Sequence, residues 1–490
     1  MIPLIYLKVR PKLKTISQQQ ITSQSNRQPE QLIQAPSSPL FIFELSRDTA
    51  LHNAIVLEQF NFNIDKVIKA QLNSQVQFGP GFKNSKNLQE LLEHHPHWRQ
   101  LKAILHNSAT FPLNQISQED RLVDNIFHRN RGNHKSTVKN REKMKQNIID
   151  DISRGFALPL PIELLHSIPN TSLAPLGCVE QESINELSKK TPKFPMTHDQ
   201  SFPGPTGNSV NSRVQKENLQ FCMYSFVLLR LLHFIIHLRH YHPKTKIFLS
   251  KFDLDAAYRR CHLSGSTTSE CLTIFDDTLL MALRMTFGGA PCPSMWGYIS
   301  DTLADICNKL IHNPYWDHQK FSDSLSSTIE EPSSLPPEIP FHPAKSLAVK
   351  IPPNNVGKVN IYIDDSIGVA LHTANTYRVN AAIPLAIHSI SRPLYKNDPA
   401  PRNEMISLKK FRAKGRMEEI KKILGWIVNT HSSTIALPLD KHSKWTAYIE
   451  TIISTGKCNL CRQHPTQCGL FSWVTIQSST LCKEIQLDHH

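Results

Sequence analysis

The chain has 490 residues, 40% of them hydrophobic and 20% charged, and a formal net charge of +14, with an isoelectric point near 9.2. This is an ordinary composition for a soluble globular protein with room for about two to four domains, and its ten scattered cysteines have no spacing that suggests a disulfide framework and better suit a reduced intracellular setting. The positive balance favours a polyanionic partner, nucleic acid before anionic membrane, over a basic chain with no such partner.

In chain order, the opening MIPLIYLKVRPKLK has too short an apolar run for the core of a signal peptide. Residues 15–39 are rich in Gln, Ser and Pro, so a disordered tail is expected over 1–39. Residues 40–147 form a basic region with helix-like patches such as LQELLEHHPHWRQLKAIL. Its end, HRNRGNHKSTVKNREKMKQN (128–147), reads equally as a solvated helix or linker and as a nucleic-acid contact. From 148 to 440 short apolar strands, turn residues and helices alternate, which predicts an α+β domain. Within it, FVLLRLLHFIIHL (226–238) is interrupted by Arg230, His233 and His237. It is too short to span a bilayer and is expected as a buried amphipathic helix, so no membrane is expected as partner. FDDT (275–278) predicts a hairpin turn, and the proline-dense stretch 310–358 an insertion loop. Residues 441–490 begin as an amphipathic helix carrying Trp445, Ile449, Ile452 and Ile453, then lose periodicity.

The stretch NIYIDDSIGVA (360–370) sets two adjacent carboxylates, Asp364 and Asp365, between apolar runs that read as a buried strand pair. Two buried negative charges are costly unless a cation meets them. Upstream, the strand-like run Ile247–Phe252 ends at Asp253. A third carboxylate aimed at the same point would make a site for two divalent cations about 3.5–4 Å apart. Oxygen donors suit Mg²⁺ or Mn²⁺ rather than zinc.

FDLDAAYRR (252–260), LRMTFGGAPCPSMW (283–296) and IYIDDSIG (361–368), in that order, resemble motifs A, B and C of retroelement reverse transcriptases. ILGWIVNT (423–430) is similar to the hairpin that grips the primer end, and GFALPLP, APLGCV and MTHDQSFPGPTGNSVN to the fingers. The resemblance runs from about residue 150 to 455. It implies a right-hand polymerase fold of fingers, palm and partial thumb, after a mostly helical, partly disordered N-terminal extension. It implies an RNA-directed DNA polymerase acting on an RNA or DNA template with primer and on deoxynucleoside triphosphates. By the same resemblance Asp253, Asp364, Asp365 and the Leu254 carbonyl would hold two Mg²⁺ or Mn²⁺ ions. Tyr258, Phe287, Gly288 and Gly289 would line the nucleotide pocket, Tyr258 against the ribose 2′-position. Leu424, Gly425 and Trp426 would form the primer grip. One of the basic residues Lys409, Lys410, Arg412, Lys414 and Arg416 would approach the triphosphate; which one stays open.

Two features depart from the family pattern. Pro195 stands where many members have an arginine that clamps the triphosphate, and proline offers neither charge nor N–H. Beyond residue 455 the pattern fades, with no RNase H domain and no Asp-Ser/Thr-Gly protease motif, as expected of a truncated or frameshifted copy. Cys458, Cys461, His464 and Cys468 are spaced more tightly than a retroviral zinc knuckle, so zinc is not expected. An inactive, nucleic-acid-binding remnant and an RNA-templated RNA polymerase are the rival readings. Tyr258 argues against the second. The chain is expected to be intracellular, with nothing to choose between nucleus and cytoplasm.

Overall fold

The computed structural model describes residues 40–71, 81–184, 190–220, 222–313, 315, 351, 355–373, 376–392, 405–407, 410–411 and 414–455. The tail 1–39, nearly all of the proline-rich stretch, Lys409, Arg412 and the four metal-type residues after 455 lie outside them. What is described is a mixture of helix and small antiparallel sheets.

The first part is helical: α1 (Arg47–Gln59), α2 (Ile64–Ala70), α3 (Ser85–Leu92), α4 (Trp98–Asn107), α5 (Gln118–Arg131), α6 (Lys135–Lys139) and α7 (Arg141–Ser153). Ser46, Asn63, Asn84 and Ser117 cap α1, α2, α3 and α5, each side chain accepting from a backbone N–H of the first turn, which satisfies a donor that would otherwise be orphaned. The basic run after residue 128 is therefore helix rather than linker. Strand β1 (Ala157–Pro161) follows, with β2 (Leu176–Cys178), β3 (Gln181–Ile184), β4 (Lys190–Lys193) and β5 (Met196–His198) forming two small hairpin-like pairs, β2 with β5 and β3 with β4.

Helix α8 (Val227–Tyr241) leads into β6 (Ile247–Asp253). After the short α9 (Gly265–Thr268) come β7 (Leu272–Phe275) and β8 (Thr278–Ala282), which pair with β1 in the order β1–β8–β7. The turn between β7 and β8 is the FDDT stretch, with Asp276 at φ 51°. Alternation sorts this sheet's faces: Leu158, Leu160, Leu279 and Met281 meet α1 and α2, whereas Ala157 and Leu280 meet Met144, Ile148 and Ile152 of α7.

Then follow α10 (Cys292–His312), β9 (Gly357–Tyr362), β10 (Asp365–Leu371), α11 (Thr376–Ile390), β11 (Ile420–Ile423), β12 (Trp426–Asn429), β13 (Thr434–Ala436) and α12 (Leu439–Thr455). The sheet β6–β10–β9 is packed on both faces. Phe248, Phe252, Ile361 and Ala370 face α10 and α11, and Ile247, Leu249, Ile367 and Val369 face α8 and the β11–β12 hairpin. A sheet packed on both faces explains why apolar residues occupy both alternations of its strands. Helix α12 forms as expected, but its apolar stripe is not packed away: Ile449 and Ile453 are exposed.

Candidate active site

The register of the β6–β10–β9 sheet decides where the acids go. Asp365, first residue of β10, stands directly opposite Asp253, last residue of β6, and opposite Tyr362 of β9 on its other side. Directly paired residues share a face, so the two carboxylates project together, on the side of Ile247 and Ile367. Asp364 sits in the two-residue turn joining β9 to β10, and its carbonyl accepts the Leu254 N–H at 2.8 Å. The other turn residue, Ile363, has φ 54°, a left-handed conformation that a β-branched side chain resists. The Trp296 indole N–H of α10 donates to its carbonyl at 2.7 Å and fixes the turn.

Two lysines meet the acids. Lys251 lies two residues before Asp253 on the same strand face and places its ammonium 2.6 Å from Asp365. Lys410 reaches Asp253 at 2.6 Å. Its position follows from chain pairing: the Ser407 N–H donates to the Asp253 carbonyl, the Asp255 N–H to Met405, and Phe411 stacks on Phe252 at 5.0 Å. Burial opposes the charge on Lys410, but Asp253, Asp364 and Asp365 together hold its pKa above the ordinary lysine value.

The acids themselves split. Burial pushes Asp365 up to about 7, and its hydrogen bond to Asp253 adds to this against the pull of Lys251. For Asp253 burial acts upward too, but the Asp365 hydrogen bond and the two ammonium groups outweigh it and hold the carboxyl down to about 2. Burial raises Asp364 as well, opposed first by Lys410. Below about pH 7 the facing pair therefore shares a proton, as two close carboxylates do without a stronger cation.

Tyr258, in the turn after β6, is buried, and burial first, then Cys292, Tyr224 and Asp364, raises its phenol pKa. Its ring centroid is 5.3 Å from that of Phe287, whose side chain is 49% exposed. The loop carrying Phe287, Gly288 and Gly289 is strapped to the segment after β5. The His198 N–H donates to the Phe287 carbonyl, and Asn211 donates to the Gly288 carbonyl while accepting the Ala290 N–H. Gly288 has φ 129°, and a Cβ there would fall 1.8 Å from the His198 carbonyl. Only glycine fits. Tyr258, Phe287 and the acids thus share one region, and Gly289 follows in the same loop.

Leu424 and Gly425 form the turn between β11 and β12, at φ 46° and 91°, the doubly positive pattern of a tight hairpin. With Trp426 opposite Ile423, the hairpin packs on the face of the β6–β10–β9 sheet that carries Ile367 and Val369, the face from which Asp253 and Asp365 project. Pro195 lies between β4 and β5, its carbonyl accepting the Val179 N–H. Asp199 accepts from His134 at 2.9 Å. The site also uses Lys251 and Trp296, to which no motif in the sequence assigns a role. Lys251 was legible, since a residue two before a strand-end aspartate shares its face, but the indole that holds Ile363 had no sequence signal.

Carboxylate oxygens are the donor type that a hard divalent cation takes. Among the described residues no three acidic, His or Cys side chains stand as a ready cation cage. Among the described residues Lys251 and Lys410 make ion pairs with the acids, and Lys414 lies near enough to feel the charges of Asp253 and Asp365. A cation would have to displace the Lys410 contact and the proton on Asp365.

No protein-family model and no curated protein match this chain. Among solved structures it is similar to the foamy viral protease-reverse transcriptase in complex with double-stranded DNA, at 11% identity and a TM-score of 0.36 over 70% of this chain and 40% of that one. It is similar to the same protein with an RNA/DNA hybrid at 12% identity and a TM-score of 0.35, over 86% and 39%. The native prototype foamy virus enzyme gives 11% and 0.32, over 75% and 35%. The chain thus spans well under two thirds of these proteins. Similarity this low carries no argument, and the functional reading rests on the residues described above. Among those residues no helix is long and apolar enough to cross a membrane.

Proposed function

We propose that this chain has a right-hand polymerase architecture, with the β6–β10–β9 sheet as palm, and that it descends from the RNA-directed DNA polymerases of retrotransposon-like elements. The observation that carries the reading is the cross-strand pair Asp253–Asp365 with Asp364 in the adjoining turn. Buried acids gathered this closely, with displaced pKa values, mark a candidate functional cluster, and the lysines that meet them hold places a metal cation could take.

Asp253 and Asp364, with Asp365 and the Leu254 carbonyl, would hold Mg²⁺ or Mn²⁺. When bound, such ions supply activation of a primer 3′-hydroxyl and charge compensation for the leaving pyrophosphate. The chain's own residues do the remainder. With a cation bound, Asp365 would release its shared proton to solvent, and Lys410 would leave Asp253 and be free to meet phosphate oxygens. The Tyr258 ring bounds the space for a ribose 2′-substituent, which selects deoxynucleotides. Phe287, half-exposed beside it, offers a face to a base or sugar. The Leu424–Trp426 turn supports the primer end.

A second reading has its own support. Lys251 and Lys410 already neutralise the acids, and Pro195 brings no charge to the triphosphate. A chain that binds template–primer without extending it matches these features. Primer extension on RNA and DNA templates, with Mg²⁺ or Mn²⁺ and with Asp253→Asn as control, separates the two. Extension lost in Asp253→Asn supports the polymerase, and binding without extension in either protein supports the remnant. Neither binding nor extension would sink both.

A further inference from the structure

Helix α5 is inside out. Its buried residues are Arg121, Asp124, Asn125 and His128, while Leu122, Val123, Ile126 and Phe127 are 48%, 48%, 44% and 37% exposed. At about 100° per residue the two sets centre about 180° apart on the helix, so the apolar face lies opposite the one that packs on the described residues. The inward polarity has a cause. Arg121 makes a bidentate pair with buried Glu270, Asp124 accepts from the backbone and hydroxyl of Thr206, and Asn125 bonds Thr171 and the Leu173 N–H. The outward apolarity has no such partner within the described residues, and an outward stripe of this kind marks a contact surface.

The order of residues on that face says what fits it. Acids come first (Glu119, Asp120), apolar residues next, and bases last (Arg129, Arg131). Placing a two-fold axis between residues 124 and 125 and laying a second α5 antiparallel sets Leu122 opposite Phe127, Val123 opposite Ile126, and Asp120 opposite Arg129. Every apolar residue meets an apolar one, and each acid meets a base or an amide. Self-complementarity about a two-fold axis is the requirement for an isologous contact. A foreign helix would need the inverse pattern by coincidence, and this chain carries it. We infer that α5 is a self-association surface through which two copies of this chain pair antiparallel. One helix face per copy is small beside a stable interface, so the dimer belongs to the weak, concentration-dependent class.

Sedimentation equilibrium of the full chain from about 1 to 100 μM, the range in which such an interface populates, tests this. The parent protein is expected to pass from monomer toward dimer, and Ile126→Glu/Phe127→Glu to stay monomeric throughout. Asp120→Arg or Arg129→Asp alone should weaken pairing by about tenfold, because each creates two like-charge contacts across the axis. The double exchange should restore it to within about threefold, since both contacts reappear with the charges swapped. A parent that is monomeric at every concentration overturns the inference, as does a dimer indifferent to these changes or a charge exchange that fails to restore it. Thermal unfolding of the Ile126→Glu/Phe127→Glu variant at the lowest concentration provides the check on folding. An unchanged midpoint confirms that these side chains are external in the monomer, and a lowered one shows them buried within it and overturns the inference.

Discussion

Replacing Asp365 by Asn isolates the electrostatics of the acidic pair. In the folded chain without added cation, burial and the Asp253 hydrogen bond move the Asp365 carboxyl from its ordinary 3.8 to about 7. A raised acid binds more protons folded than unfolded between those values, so its contribution to stability falls as pH rises from about 4 to 7 and is fully lost above that. At about 1.4 kcal/mol per tenfold in proton affinity, the full displacement corresponds to about 4 kcal/mol, an upper figure because Asp365 and Asp253 titrate together. Asp253, held at about 2, acts in the opposite sense and only below about pH 4, so the two windows do not overlap. Urea unfolding in EDTA, repeated from pH 4.5 to 8, reads the slope. The parent should lose a few kcal/mol more than Asp365→Asn across that interval, and saturating Mg²⁺ should flatten the parent's curve alone. Parallel curves for the two proteins would refute the shared proton.

Other expectations follow from the same geometry. Lys410→Ala removes an ammonium that competes for Asp253; a charged hydrogen bond of about 1.5–3 kcal/mol implies Mn²⁺ affinity higher by about tenfold or more, measured by calorimetry, and unchanged affinity would contradict the competition. Gly288→Ala forces a Cβ onto the His198 carbonyl from a positive φ, and should cost about 2–4 kcal/mol in denaturant unfolding; a neutral result would mean that the strap is slack. Pro195→Arg should improve use of deoxynucleotides by about one to two decades if the triphosphate passes that position, with the steady-state kcat/KM as readout. Tyr258→Ala should raise ribonucleotide incorporation, and equal discrimination in both proteins would make the ring a packing residue.

The parts of the fold legible in the sequence are those where local chemistry and tertiary role agree. The apolar runs around Asp364 and Asp365 require a buried hairpin wherever it lies, and Leu424–Gly425 requires a tight turn. The register that sets Asp365 against Asp253 was less legible, because it depends on pairing strands more than a hundred positions apart in sequence. Helix α5 is where reading by periodicity fails. Its stripe of Leu122, Val123, Ile126 and Phe127 is what that rule would bury, yet Glu270, 149 positions beyond Arg121, draws the polar face inward instead. A buried ion pair whose halves lie that far apart leaves no local trace. The exposed stripe of α12 shows the same limit: a helix's period gives its faces but not what they meet.

The central claim, that Asp253, Asp364 and Asp365 form one cation site, is tested most directly by Mn²⁺ titration followed by electron paramagnetic resonance. The account predicts saturable binding near pH 8 that weakens as the pH falls through about 7, where Asp365 takes up its proton. Asp253→Asn and Asp364→Asn should each abolish it. Binding that survives both substitutions, or no binding at millimolar Mn²⁺ even in Lys410→Ala, would contradict it.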